Sequence, residues 1–186
     1  MNNRAFALAY WPDPRGATPK ALNTLLGENA PAVADASVAG RGVYAMEFLL
    51  FDPAYPASDA RCALVQALAA DANDTATAIA QDWNDRYAAL LRDPTNATYQ
   101  SETEALQELY KSLQTGLEFT SDTRIGRPLG TFDRPRATRA EMRRSGRSLN
   151  NVVVSLTSLQ QLARALASED ADLTSQIDAA FDKALA

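Results

Sequence analysis

Histidine is absent from all 186 residues. With it go Ser-His-Asp triads, Cys-His dyads, imidazole metal ligands and the usual proton carrier near neutral pH. Chemistry on this chain has to rest on carboxylates, Tyr, Lys, Arg or a borrowed cofactor. The one cysteine, Cys62, forbids an internal disulfide and leaves the redox compartment open; it is expected to be a small core residue. No apolar run reaches the roughly 18 residues of a membrane-spanning helix. The opening MNNRAFALAYWPDPRG has too short an apolar stretch for a signal peptide and runs into Trp11 and a Pro-rich turn. Glycine (8) and proline (9) are scarce, while hydrophobic residues make up 46% with Ala and Leu abundant, which favours helix over sheet. A chain of this length stabilises its core without metal or disulfide. The expectation is an all-α helical bundle, with residues 1–186 forming a single domain.

Charge is unevenly spread. The net value is −5, yet between Arg124 and Arg147 eight arginines face only Asp133 and Glu141, a local excess of six positive charges that leaves −11 on the rest. An acidic body with a basic collar argues against general nucleic-acid binding, which needs a broad basic face.

Periodicity and breakers predict the helices. One covers about Asn3 to Trp11 and stops at Pro12 and Pro14. Thr18 caps a short one with Pro19 at its first position and Gly27 at its end. Asp35 to Phe51, bounded by Pro31 and Pro53, reads as a third helix buried on most sides. Ser58 or Asp59 opens a long helix to about Arg92, with Val65, Leu68, Ile79, Trp83, Tyr87 and Leu90 in its core stripe. The next, about Thr98 to Thr120, puts Tyr99, Leu106, Leu109 or Tyr110, Leu113 and Leu117 on one face. Residues 121–137, SDTRIGRPLGTFDRPRA, read as a long loop of the kind that carries function. Thr138 and Glu141 form a capping-box pattern for a helix to about Ala167, with Met142, Leu149, Val152, Val153, Leu156, Leu159, Ala163 and Leu166 inward. Ala171 to Ala186 makes a last amphipathic helix.

Two stretches draw attention as sites. In GVYAMEFLLFDP, residues 42–53, Tyr44 and Glu47 lie three apart on one helical face just before a run of four large apolar side chains. Glu47 reads either as a ligand of a hard cation, with Tyr44 as phenolate donor or hydrogen-bond partner, or as a buried acid paired with Arg41 or Arg127. The arginines divide likewise. Arg139, Arg143 and Arg147, spaced by four, read as a solvated helix face. Arg124, Arg127, Arg134 and Arg136 sit on the loop, where guanidinium forks grip carboxylate or phosphate. Trp11 and Asp13, in WPDPRG, read as packing and turn residues, or else as a turn docked against the signature helix with Asp13 serving a site there.

GVYAMEFLLFDP resembles the signature of the imelysin family, peptidase family M75, in which Gly-x-His-x-x-Glu precedes an apolar run; Gly42 and Glu47 match, and Tyr44 stands where the His would be. RIGRPLG, Arg124 to Gly130, resembles the Gly-x-Pro-Leu-Gly loop of the same family. The resemblance implies an all-helical bundle fold, a periplasmic or lipoprotein setting in the bacterial cell envelope, and a link to iron uptake. The chain resembles an interior portion of the family's length. It also implies a site of Tyr44 and Glu47 shaped by Gly42, Arg41, Arg124, Gly126, Arg127, Pro128 and Gly130, with Glu47 as the metal ligand and iron or another divalent cation as cofactor. The function expected is non-catalytic ligand binding, with a metal ion, a small anionic ligand or an envelope protein as partner and no nucleic acid. Two alternatives stand beside it: a metallopeptidase, which lacks a His to build on, and an interaction module working through the Arg-rich segment 124–147.

Overall fold

The computed structural model describes residues 2–28 and 32–186. The fold is all-α, of the helical-bundle class; among the described residues the sole β pairing is an isolated bridge between Thr131 and Arg134. No helix among them is long and apolar enough to cross a membrane. The chain divides into two compact units, residues 1–89 and 90–186.

The first unit holds α1 (Asn2–Leu8), α2 (Ala17–Leu26), two 3-10 turns (Val33–Asp35 and Val38–Gly40), α3 (Gly42–Phe51) and α4 (Asp59–Asp82), whose end loosens into a π-helical turn, Trp83–Tyr87. Its core joins Leu22 and Leu25 of α2, Ala45 and Leu49 of α3 and Leu64 and Leu68 of α4, with Val33 and Tyr55 from the connections. Short α5 (Ala88–Arg92) follows.

Two starts show how local chemistry places these helices. Ser58 caps α4 as expected, its side chain accepting from the Arg61 N–H at 3.1 Å. At α2 the cap is Asp13: its carboxylate accepts the Ala17 N–H at 2.9 Å and the Thr18 N–H at 2.8 Å, and Gly16 makes the turn between them in the left-handed region. Thr18, the expected cap, is instead buried inside the helix. Gly27 ends α2 as expected.

The expected third helix begins later than its pattern suggested, because Gly42 has φ 72° and breaks the chain between the 3-10 turns and α3. Pro31, its expected bound, lies outside the described residues. The α4 stripe also differs. Leu64 and Leu68 are buried, while Trp83 is 44% exposed and lies against Tyr87, ring centroids 5.6 Å apart and planes tilted by 33°. Trp83 stands at the start of the π-helical turn, where the regular spacing of the stripe ends. Cys62, expected in the core, is exposed, on the side of α4 away from Leu64 and Leu68.

The second unit holds α6 (Glu102–Glu118), a π-helical continuation (Phe119–Gly126), α7 (Arg127–Leu129), a 3-10 turn (Ala137–Arg139), α8 (Ser148–Leu166) and α9 (Ala171–Leu185). Ser101 caps α6, and Asp170 caps α9 by accepting the Leu173 N–H at 2.9 Å. At the crossing of α6 and α8, a Cβ on Gly116 would come within 2.5 Å of the Leu159 side chain. α8 and α9 are joined by the Arg164–Asp178 ion pair, by Gln160 donating to the same carboxylate and by the Thr174 hydroxyl donating to the Ala167 carbonyl.

Three expectations change here. Residues 121–129 are helical, because α6 runs on through the π segment. The helix expected from Thr138 starts at Ser148, since Glu141 is drawn inward and Met142 (φ 43°) and Gly146 (φ 71°) turn the backbone. The inward line of α6 passes through Ala105, Leu109, Leu113, Gly116 and Thr120, so Leu106, Tyr110 and Leu117 face out, as do Leu149 and Val153 of α8.

Burial alone would raise the Asp13 pKa, but the N–H groups of Thr18 and Ala17 outweigh it and hold the carboxyl below its ordinary value. A lowered folded-state pKa means stability present above the unfolded value near 3.8 and lost as pH falls through the lower folded one. Asp13→Ala is therefore expected to cost about 1 kcal/mol near pH 7. Urea melts over a pH series should show the gap to wild type closing as the pH drops below the folded pKa.

Candidate functional site

The signature segment is built around a backbone contact. A Cβ on Gly42 would lie 2.1 Å from the Leu8 carbonyl oxygen and 2.5 Å from that of Ala7, so the first turn of α3 sits directly against the end of α1. Only glycine fits both that approach and φ 72°. Arg41, one residue earlier, forms a two-pronged pair with Asp71 of α4 (Nε to Oδ2 2.9 Å, Nη2 to Oδ1 2.7 Å) and donates from Nη1 to the Ala34 carbonyl at 2.9 Å. With the pair's side chains only 16% and 9% exposed, it locks the start of α3 onto α4.

Along α3, Tyr44 is half-buried and stacks on Trp11, centroids 6.4 Å apart and planes 21° from parallel. Trp11 precedes a cis peptide bond to Pro12. Glu47 is 5% exposed and engaged within the fold. Arg41, expected as its counter-ion, is committed to Asp71 instead. Phe48 is half-buried and Leu49 fully buried, whereas Leu50 and Phe51 at the helix end are half-exposed, so α3 is covered on most sides, as expected, except at its last two residues.

The second stretch lies entirely in the second unit. Arg124 reaches Glu141, Nε to Oε2 2.8 Å, lies over the Phe119 ring at 4.8 Å and spans toward the Thr120 hydroxyl. Glu141 is 2% exposed, and its carbonyl accepts from the Ser148 hydroxyl at 2.5 Å, fixing the turn that leads into α8. Arg127 opens α7 with its Nε buried and, among the described residues, without a hydrogen-bond partner. Pro128 accepts the Arg136 N–H at 2.8 Å, and Gly130 (φ 65°) turns the chain where a Cβ would lie 2.4 Å from the Arg134 carbonyl.

The residues expected to form one site thus fall into two groups. Gly42, Arg41, Tyr44 and Glu47 belong to the first unit; Arg124, Gly126, Arg127, Pro128 and Gly130 belong to the second. Arg139, Arg143 and Arg147, expected along a helix face, lie on turns before α8 and are exposed. Sequence reasoning missed Asp71 and Glu141 as the acids that occupy Arg41 and Arg124. Their partners lie 30 and 17 residues away, beyond any local signal.

The profile of the imelysin family (peptidase M75) matches residues 1–186. The chain belongs to the imelysin family. No curated protein and no solved structure matches it. In this imelysin the polar side chains of the signature-like turn are Tyr44 and Glu47. A zinc hydrolase needs three protein ligands and a water. The signature turn supplies one carboxylate, Glu47, and one phenol, Tyr44. Among the described residues no group of three or more Cys, Asp or Glu is placed to hold an ion. This donor set does not fit a zinc centre.

Two outcomes follow from the geometry. Gly42→Ala should destabilise the protein by about 2–4 kcal/mol, combining left-handed strain with a backbone clash, as read by equilibrium urea unfolding. Arg124→Met should cost about 3 kcal/mol because it withdraws the cation from a buried acid. Glu141→Gln should cost less, since the freed guanidinium of Arg124 is 21% exposed and rehydrates. Equal losses in thermal melts would contradict this order.

Proposed function

We propose that this imelysin is a non-catalytic binding protein of the bacterial cell envelope, and that it takes an anionic ligand on the arginine-rich segment Arg124–Arg147. One observation carries the reading: Arg134, Arg136, Arg139, Arg143 and Arg147 have no acidic partner among the described residues, and of the two acids within Arg124–Arg147 Glu141 is already taken by Arg124, which concentrates unanswered positive charge in one short segment. Guanidinium groups stay charged at all physiological pH values and present planar forks that suit carboxylate and phosphate oxygens. Left in water without counter-charges, they attract anions over roughly a Debye length of about 10 Å.

The absence of histidine supports binding over catalysis. Nothing in the chain supplies an imidazole base, and the signature turn holds a single carboxylate. An anionic ligand also accommodates the iron link implied by the family, because a hard cation carried by carboxylate or phosphate oxygens arrives as an anionic chelate. Family members carry a peptidase label, and a peptidase activity would need donors other than those of the signature turn.

Inorganic pyrophosphate serves as the probe. Calorimetric titration at roughly 50 mM NaCl should show binding that weakens steeply by roughly 300 mM. Arg143→Gln and Arg147→Gln should each lower the affinity roughly two- to fivefold without changing the melting temperature. Binding indifferent to salt and to both substitutions would sink the proposal.

A further inference from the structure

One feature of the second unit is explained neither by packing nor by anion binding alone. Thr131 and Arg134 exchange backbone hydrogen bonds, Arg134 N–H to the Thr131 carbonyl at 3.0 Å and Thr131 N–H to the Arg134 carbonyl at 3.3 Å, so Phe132 and Asp133 form the tip of a tight turn. Phe132 is 102% exposed and Leu129, three residues earlier, 64%. A phenyl ring held wholly in water forgoes the stabilisation that burial would give it. The turn is braced as well as exposed: Gly130 allows the Arg134 carbonyl to approach, and the Arg136 N–H closes the base on Pro128. Arg134, Arg136 and Arg139 follow the tip within seven residues, Arg134 and Arg139 exposed and Arg136 half-buried, and Arg127 precedes it with a buried, unpartnered Nε. Asp133 is the one acid between Arg127 and Arg139.

We infer that this turn docks on an anionic lipid surface, Phe132 and Leu129 entering the boundary between headgroups and acyl chains while the arginines meet the phosphodiester groups. The inference rests on the anionic-ligand reading above and names the anion. Aromatic side chains favour that boundary, and each basic residue close to an anionic leaflet contributes about 1 kcal/mol. A bilayer accommodates a protruding ring and neighbouring cations together without a shaped pocket. An acidic protein would need a cleft fitted to Phe132 to gain from it, and with charges alone it would leave the ring in water.

The full chain should cosediment with phosphatidylcholine vesicles containing about 30 mol% phosphatidylglycerol at roughly 50 mM NaCl, and only weakly with phosphatidylcholine alone. Phe132→Ser removes a side chain that touches nothing, so the far-ultraviolet circular dichroism should be unchanged while partitioning falls about tenfold. Arg134→Gln and Arg139→Gln should each lower it roughly fivefold. Failure to bind the anionic vesicles, or equal binding by wild type and Phe132→Ser, overturns the inference. Should pyrophosphate still bind in that case, the anionic-ligand reading survives and the lipid surface does not; should it fail too, both readings go. Binding of an octa-aspartate peptide that ignores Phe132→Ser, alongside absent vesicle binding, would assign the arginines to an acidic protein.

Discussion

A carboxylate taken out of water has to be answered by a cation or by N–H groups, and both units are organised around that requirement. In the first, Asp71 on α4 is answered by the fork of Arg41, which sets where α3 begins and so where the whole signature segment lies. In the second, Glu141 is answered by Arg124, and this pair draws the chain inward between the π-helical end of α6 and the start of α8. Asp13 solves the same problem with backbone N–H groups. Each solution converts the cost of burying charge into a fixed position for a neighbouring helix end.

With those pairs in place, the two family motifs read as architecture. Gly42 is glycine because two carbonyl oxygens of α1 occupy the space a side chain would need. Tyr44 stacks its ring on Trp11. An aromatic ring there supplies packing area and one hydroxyl, where imidazole would supply a metal donor. In the second motif, Gly130 serves a turn whose closure brings Arg134 and Arg136 beside Pro128. Of the positive charges left over from this construction, Arg134, Arg139, Arg143 and Arg147 are exposed.

The exposed apolar residues follow from the same accounting. α6 spends Ala105, Leu109, Leu113 and Gly116 on its inner line, small or medium residues that let α8 come close, and thereby turns Leu106 and Tyr110 outward. A helix that packs through small residues approaches its neighbour closely and needs no large ones at the seam. Phe132 differs from these, because it stands on a turn and has no helical face to share.

Composition and periodicity by themselves determined the helical class, the starts of α4 and α9, the end of α2 and the local crowding of arginine, since caps, breakers and charge density act over a few residues. The family was legible in Gly42, Glu47 and the Arg124–Gly130 stretch for the same reason. What only tertiary structure decided were the partners across long separations. Thr138 and Glu141 carry a good local helix-start pattern, yet Glu141 is worth more as the buried acid of Arg124 than as a cap, and the helix yields ten residues to that pair. Arg41 likewise went to Asp71, thirty residues on, instead of the nearer Glu47. Local signals are each worth about 1 kcal/mol, and a buried ion pair broken by the wrong choice costs about three times that, so wherever the two conflicted the distant partner prevailed.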